Sequence, residues 1–188
     1  MTKNPYQLLS RATVYRNPWI HVREDRVVRP DGGNAVFGVV EGKPGSSVLA
    51  IDNDAHVYLV REYKYGVGRE CLEVVSGGIE EGESPLDAAR RELREESGLN
   101  AGRLIDLGFV DPFTAVVNSP NYMFLAFDLE HGDHERDAGE MIDVVRMPFD
   151  EALERTIAGE ITHSTSMVLI LKSALLASRA GGILSLRQ

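Results

Sequence analysis

The chain has 188 residues, 43% of them hydrophobic, with a single cysteine and a formal net charge of −9, which suits one domain of ordinary size or a domain with a small appendage. A pI near 5.0 excludes a general nucleic-acid binder, which would carry a basic face, although a bound metal can reverse the local sign for a nucleotide substrate. Cys71 alone excludes an intramolecular disulfide, MTKNPYQLLSR lacks the apolar run of a signal peptide, and Met167 to Leu171 is cut by Lys172 far short of a membrane span, so a soluble cytoplasmic protein with no membrane partner is expected.

In chain order, residues 19–29 and 35–40 are rich in β-branched and aromatic side chains and flank Pro30-Asp31-Gly32-Gly33-Asn34, a hairpin signal. Such a ribbon is marginal alone and must pack on something else. Gly42 to Ser46 is the best internal boundary, dividing an N-terminal β-unit of residues 1–45 from a main domain of residues 46–188. Ser47 to Ile51 and His56 to Val60 read as strands joined by a turn at Asp52 to Ala55. Arg61 to Tyr65 then forms a cationic and aromatic cluster placed just past a strand end, where a phosphate or base could be met. Leu72 to Val75 reads as a strand and Ser76-Gly77-Gly78 as a turn, with glycines that allow backbone to approach a ligand. Cys71 beside that strand reads as a small hydrophobe rather than a nucleophile.

The next stretch, Gly77 to Leu99, is a capped helix with its entry loop. Ser84 suits the N-cap, Pro85 the first helical position, Asp87 completes a capping box and Gly98 suits the C-terminal stop. Glu92, Glu95 and Glu96 fall on one helical face. Like charges so placed repel, and hard divalent cations held by carboxylate oxygen offset that most directly, which predicts Mg²⁺ or Mn²⁺. Leu86, Ala89 and Leu93 form a stripe to seat the helix on a sheet, Ala88 leaves room for a ligand, and Arg91, four residues before Glu95, is placed to orient it. Beyond the helix, Arg103 to Val110, Tyr122 to Leu129 and Ile142 to Met147 read as strands, with Asp111 to Asn121 a loop. Residues 131–140 read as an exposed loop whose His131 and His134 are solvated rather than metal ligands. Asp150 to Ala158, with Leu153 and Ile157 inward, and Thr165 to Ser178, with Met167, Ile170, Leu171 and Leu175 inward, are the last helices.

The pattern Gly77, five residues, Glu83, seven residues, Arg91-Glu92-Leu93-Arg94-Glu95-Glu96-Ser97-Gly98-Leu99 resembles the Nudix box, G-x5-E-x7-REUxEExGU with U apolar. Every fixed position is matched, and chance would produce this at on the order of 10⁻⁹ per starting position from average usage. The resemblance implies an α/β/α sandwich with a mixed central sheet plus a small N-terminal antiparallel β-unit, and water attack on a diphosphate linked to a nucleoside. It makes Glu92, Glu95 and Glu96 metal ligands, with a backbone carbonyl from Ser76 or Gly77, Glu83 supporting the site and Arg91 orienting Glu95. More loosely, LVREYKYGVG, LEVVSGGIEEGES and DAGEMIDVVRMPFDEALERTIAGEI are similar to the ADP-ribose and sugar-nucleotide pyrophosphatase branch. There the N-terminal unit helps form a homodimer and a Glu from a late loop assists the water. Glu140 is that Glu by resemblance, with Asp137 second, and Arg61 and Glu73 would contact the diphosphate or terminal sugar. Pro112, in Asp111-Pro112-Phe113-Thr114, stands where that branch carries a Ser-Pro-Gly-like segment. The partner is thus a small nucleotide. A housecleaning nucleoside triphosphate or dinucleotide hydrolase, a nucleotide-sugar sensor without turnover and an isopentenyl diphosphate isomerase are the alternatives, and no DNA-binding module or lost box carboxylate favours a sensor.

Overall fold

The computed structural model describes residues 4–132 and 142–187; Asp137, Glu140 and His134 lie outside them. The chain forms two compact units, Met1–Pro44 with Asp111–Pro120, and Gly45–Val110 with Asn121–Gln188.

The first unit is a four-stranded sheet of β1 (Gln7–Arg16), β2 (Ile20–Val28), β3 (Asn34–Gly42) and the two-residue β8 (Val117–Asn118), in the order β1-β2-β3-β8. The first three strands are antiparallel and β8 joins β3 in parallel. The hairpin at Pro30 to Asn34 is as expected, with Gly32 at φ +83° and the Arg29 N–H bonded to the Gly33 carbonyl at 2.8 Å. Strand β1 was not legible beforehand, because its Leu8-Leu9-Ser10-Arg11-Ala12 run keeps no period of two. Arg11, Arg23 and Asp25 form a charged ladder on one face, where Asp25 is 7% exposed and accepts from both arginines.

The second unit is a mixed sheet between helices, an α/β/α sandwich. It comprises β4 (Gly45–Ile51), β5 (His56–Lys64), β6 (Arg69–Gly78), β7 (Leu99–Val110), β9 (Asn121–His131) and β10 (Asp143–Pro148), ordered β10-β5-β6-β4-β9-β7. Among the described residues of this sheet, only β4 and β9 pair in parallel. Helix α1 (Pro85–Ser97) covers one face, where Ala89 and Leu93 pack on Val48, Val60, Val75 and Phe124. Helices α2 (Phe149–Ile157) and α3 (Ser164–Ala180) cover the other, with Phe149, Ala152, Leu169 and Ile170 on Leu49, Leu59, Val74 and Leu125. Burying one such Leu contributes about 1.5–3 kcal/mol. A short 3-10 helix, Ile183–Arg187, follows α3.

Several expectations need correction. Arg61 to Lys64 lie within β5 rather than past it, and Ser76 to Gly78 are strand, not turn. The reason is that β6 changes partner midway: Arg69 to Val74 pair with β5, whereas Val75 to Gly78 pair with β4. Ala88 is fully buried and so leaves no room for a ligand, while Leu86 is 39% exposed. Finally, α2 and α3 are rotated from the expected stripes. Ile157, Leu171 and Leu175 are exposed, whereas Ala152, Thr156, Ser173 and Ala177 are buried.

Candidate active site

Helix α1 starts and stops where local chemistry dictates. The Asp87 N–H donates to Ser84 Oγ at 3.1 Å, Pro85 needs no donor at the first helical position, and Gly98 closes the helix at φ +69° with its N–H on the Arg94 carbonyl. With Ala89 and Leu93 packed on the sheet, Glu92 and Glu96 lie against the backbone of β6.

Arg91 organises the acidic face. Its Nε and Nη2 hold both oxygens of Glu83 at 2.9 and 3.0 Å, its Nη1 reaches Glu92 at 2.7 Å and Glu95 at 2.9 Å, and Nη2 also reaches the Gly78 carbonyl at 2.8 Å. All five guanidinium N–H groups are thereby used. The hydrogen bond to Glu83 is the chief reason that the Arg91 pKa rises above its ordinary value, and the same bond lowers that of Glu83. Glu83 also accepts the Glu80 N–H at 2.9 Å, so the entry loop and helix share one clamp.

Glu92 and Glu96 are each 9% exposed. The Ser76 N–H donates to Glu96 Oε2 at 3.2 Å. A Cβ at Gly77 would collide with the Glu92 carboxylate, so glycine makes the cradle in which that carboxylate lies against backbone. Burial pushes the Glu96 carboxyl up to about 8; the Ser76 N–H opposes this and the charge of Glu92 adds to it.

These residues fit a divalent cation in donor chemistry: oxygen only, carboxylate-rich and beside strand backbone. Among the described residues no three His, Cys, Asp or Glu side chains already converge as a ready cluster. Arg91 instead binds Glu92 and Glu95, and the Ser76 N–H binds Glu96. Charge strain at Glu96 is what a bound cation would relieve.

The β5 edge adds a second group. Val60, Glu62 and Lys64 alternate onto the α1 face, and Glu73 stands opposite Val60. Lys64 bonds Glu62 and lies 3.9 Å from Glu73, which is 7% exposed. Burial alone would lower the Lys64 pKa, but the Glu62 hydrogen bond and the charges of Glu73 and Glu62 raise it overall. From α3, His163 Nδ1 lies 3.6 Å from Glu73 Oε2 and 2.9 Å from Ser166 Oγ. Burial lowers the His163 pKa, against the pull of Glu73 and with Lys64 assisting. Glu62 and Lys64 were legible only if the strand was extended to residue 64. No local signal marks His163, which reaches Glu73 from 90 positions away.

Arg61, the other residue expected to contact the diphosphate or terminal sugar, lies on the opposite face of β5 from this group. It shares the parity of Val57 and Leu59, which face α2 and α3, and lines a cavity of about 210 Å³ with Glu70, Arg155 and Glu160. Pro112 is exposed and opens the turn before β8 in the first unit. Glu140 lies outside the described residues. A larger cavity of about 550 Å³, near Phe149, Leu153, Ala174 and Ile183, contains none of the box residues.

Comparison with known proteins agrees with this geometry. A NUDIX domain model matches residues 43–165, and a model of the nucleoside diphosphate sugar hydrolase N-terminal domain matches residues 6–40. The chain is 30% identical to the ADP-ribose pyrophosphatase of Mycobacterium tuberculosis, over 91% of this chain and 84% of that protein. It is 32% identical to the ADP-sugar pyrophosphatase of Mus musculus, over 83% and 80% respectively. A crystal structure of an ADP compounds hydrolase shares the fold at a TM-score of 0.84 and 24% identity, covering 96% of this chain and 98% of that one.

Proposed function

Because this chain belongs to the Nudix family and is a hydrolase of pyrophosphate bonds, we propose that it cleaves a nucleoside diphosphate sugar, ADP-ribose first among them, into a nucleoside monophosphate and a sugar phosphate with Mg²⁺ or Mn²⁺. The observation that carries this reading is the Arg91 clamp, which orders Glu83, Glu92 and Glu95 beside the buried Glu96 and the Gly77 cradle. The match of residues 6–40 to the N-terminal domain of nucleoside diphosphate sugar hydrolases supports the sugar-linked substrate over a nucleoside triphosphate.

Glu92, Glu95 and Glu96 would hold the cation, with a backbone carbonyl from Ser76 or Gly77. When bound, it would neutralise diphosphate charge and favour ionisation of the attacking water. Arg91 keeps the carboxylates in place, so little reorganisation accompanies charge transfer. Lys64 supplies positive charge toward the diphosphate, and Glu73 accepts a hydroxyl of the sugar. Glu140 is our choice for the group that takes the proton from the water, and Pro112 for a loop contact to the substrate. The first unit is the dimer-forming element of a homodimer, and the lone cysteine suits a reducing cytoplasm.

The test is product analysis by mass after incubation with ADP-ribose, ADP-glucose, GDP-mannose, NADH, diadenosine polyphosphates and oxidised dGTP, with and without Mg²⁺, beside a Glu96→Gln control. The expected result is cleavage of a sugar nucleotide that requires the metal and is lost in the control. Preferred cleavage of oxidised dGTP would favour the housecleaning reading. Tight binding of a nucleotide sugar without any product would make the protein a sensor.

A further inference from the structure

The partner switch in β6 leaves one backbone donor to be satisfied from elsewhere. Val74 is the last residue paired with β5 and Val75 the first paired with β4. At that step the Val74 N–H donates to Ser166 Oγ, 3.0 Å away in the first turn of α3. Ser166 is fully buried, and its Oγ is also bonded to His163 Nδ1. His163 is itself the N-cap residue of α3, yet its side chain caps no helix N–H. The imidazole is committed instead to Ser166 and to the carboxylate of Glu73, one residue before the switch.

Among the described residues, the charged groups that act on that imidazole are Glu73 and Lys64. From β5, Lys64 approaches Glu73 to 3.9 Å and bonds Glu62; from β6, Glu73 itself approaches; from α3, Ser166 fixes the ring. A carboxylate 3.6 Å away favours the proton on Nδ1, and at that distance its effect is electrostatic rather than a formed hydrogen bond. Histidine can orient such a group without neutralising it as a second ammonium would, and the burial that holds the ring neutral serves the same end. The carboxylate then keeps lone pairs for a ligand donor.

Resting on the sugar-nucleotide reading above, we propose that His163 is a positioning residue for substrate: anchored by Ser166 at the β6 switch, it holds the Glu73 carboxylate in the pose that accepts a hydroxyl of the sugar beyond the diphosphate. The role concerns binding of the sugar end and not the hydrolytic step, because His163 touches none of Glu92, Glu95 and Glu96 in any observed contact.

The test is a cycle of His163→Asn, Glu73→Gln and the double variant, with KM and kcat measured on the sugar nucleotide that the wild-type enzyme cleaves. Asparagine is a favoured N-cap residue, so α3 keeps its start and the fold survives; thermal melting checks this. His163→Asn should raise KM by about 5- to 20-fold and change kcat less than about 2-fold. In the Glu73→Gln background it should add less than about 2-fold. As competitive inhibitors, ADP-ribose analogues should weaken with His163→Asn whereas plain ADP, which lacks the sugar, should not. An unchanged KM, an equal loss for ADP, or effects that multiply across the cycle would overturn the proposal. A wild-type enzyme that cleaves no sugar nucleotide would sink the reading on which it rests, a result separable from any of these.

Discussion

At the scale of single residues, two positions carry opposite lessons about the same carboxylate cluster. Gly77 is tolerant for folding and intolerant for chemistry. A methyl there meets the end of the Glu92 side chain, which can rotate away, so Gly77→Ala should cost less than about 1 kcal/mol of stability while displacing the carboxylate proposed to hold the metal. Its kcat should fall by roughly 100-fold, as expected when a shift of about 1 Å disturbs reacting geometry, and steady-state kinetics beside a melting curve would separate the two effects. Glu96 behaves in the reverse sense. Its carboxyl ionises at about 8 in the fold, chiefly through burial, against an ordinary value of 4.5. The folded state therefore binds this proton more tightly than the unfolded chain does. Its contribution is fully present below about pH 4.5, declines as pH rises, and is lost above about 8. Glu96→Gln removes that slope. In EDTA the variant should be more stable than the parent at pH 8 by on the order of 2 kcal/mol and close to it at pH 5, as read by urea melts. Added Mg²⁺ should restore the parent and not the variant. If the parent is equally stable at both pH values in EDTA, the charge strain assigned to Glu96 is absent.

At the scale of elements, α1 is the part whose ends can be changed without touching the chemistry. Ser84 accepts the Asp87 N–H and donates to the Asp87 carboxylate but bonds none of Glu83, Glu92, Glu95 and Glu96, so Ser84→Ala should cost about 1 kcal/mol, lowering Tm by about 2–4 °C while kcat stays within about 2-fold. A large fall in kcat would mean that the cap, not Arg91, sets the pose of the acidic face. The caps were legible because Ser84, Pro85, Asp87 and Gly98 act on backbone within a few positions of themselves. The Arg91 clamp was half legible: the approach to Glu95 follows from spacing, but the bonds to Glu92 and the Gly78 carbonyl depend on where β6 runs. That path was not legible, since Ser76-Gly77-Gly78 carries the composition of a turn while pairing as strand with Gly45 to Ser47. The buried faces of α2 and α3 are not legible from side-chain size, because the faces turned to the sheet carry small residues. Where a helix lies close on the sheet, Ala152 and Ala177 fit the narrow space. Thr156 and Ser173 are buried at no polar cost, because each hydroxyl donates to the carbonyl four residues before it, at 2.7 and 2.6 Å.

At the scale of the whole molecule, the first unit poses a problem that its own strands cannot solve. A stable domain packs two layers around a core, yet this unit is one four-stranded sheet, with no helix among its described residues. Strand β1 is an edge, exposed along all ten residues, and edges of that length are normally covered or blunted. The side chains left in solvent by the whole chain include Leu9 at 56%, Val14 at 65% and Trp19 at 73% exposure. Large apolar groups so concentrated mark an association surface, and a second copy offers the same strand for a two-fold contact. The protein should therefore sediment at twice its 20.7 kDa chain mass at micromolar concentration. The double variant Val14→Glu with Trp19→Ala should weaken association at least 100-fold, because it places a charge and a void at the two most exposed of these apolar side chains, and large apolar anchors carry most of an interface's energy. Circular dichroism should remain native, since neither side chain belongs to the core clusters of the second unit. Wild-type protein that sediments as a single chain at 50 micromolar, taken as roughly the upper end of a specific dimer's range, would assign β1 and its exposed side chains to some other partner.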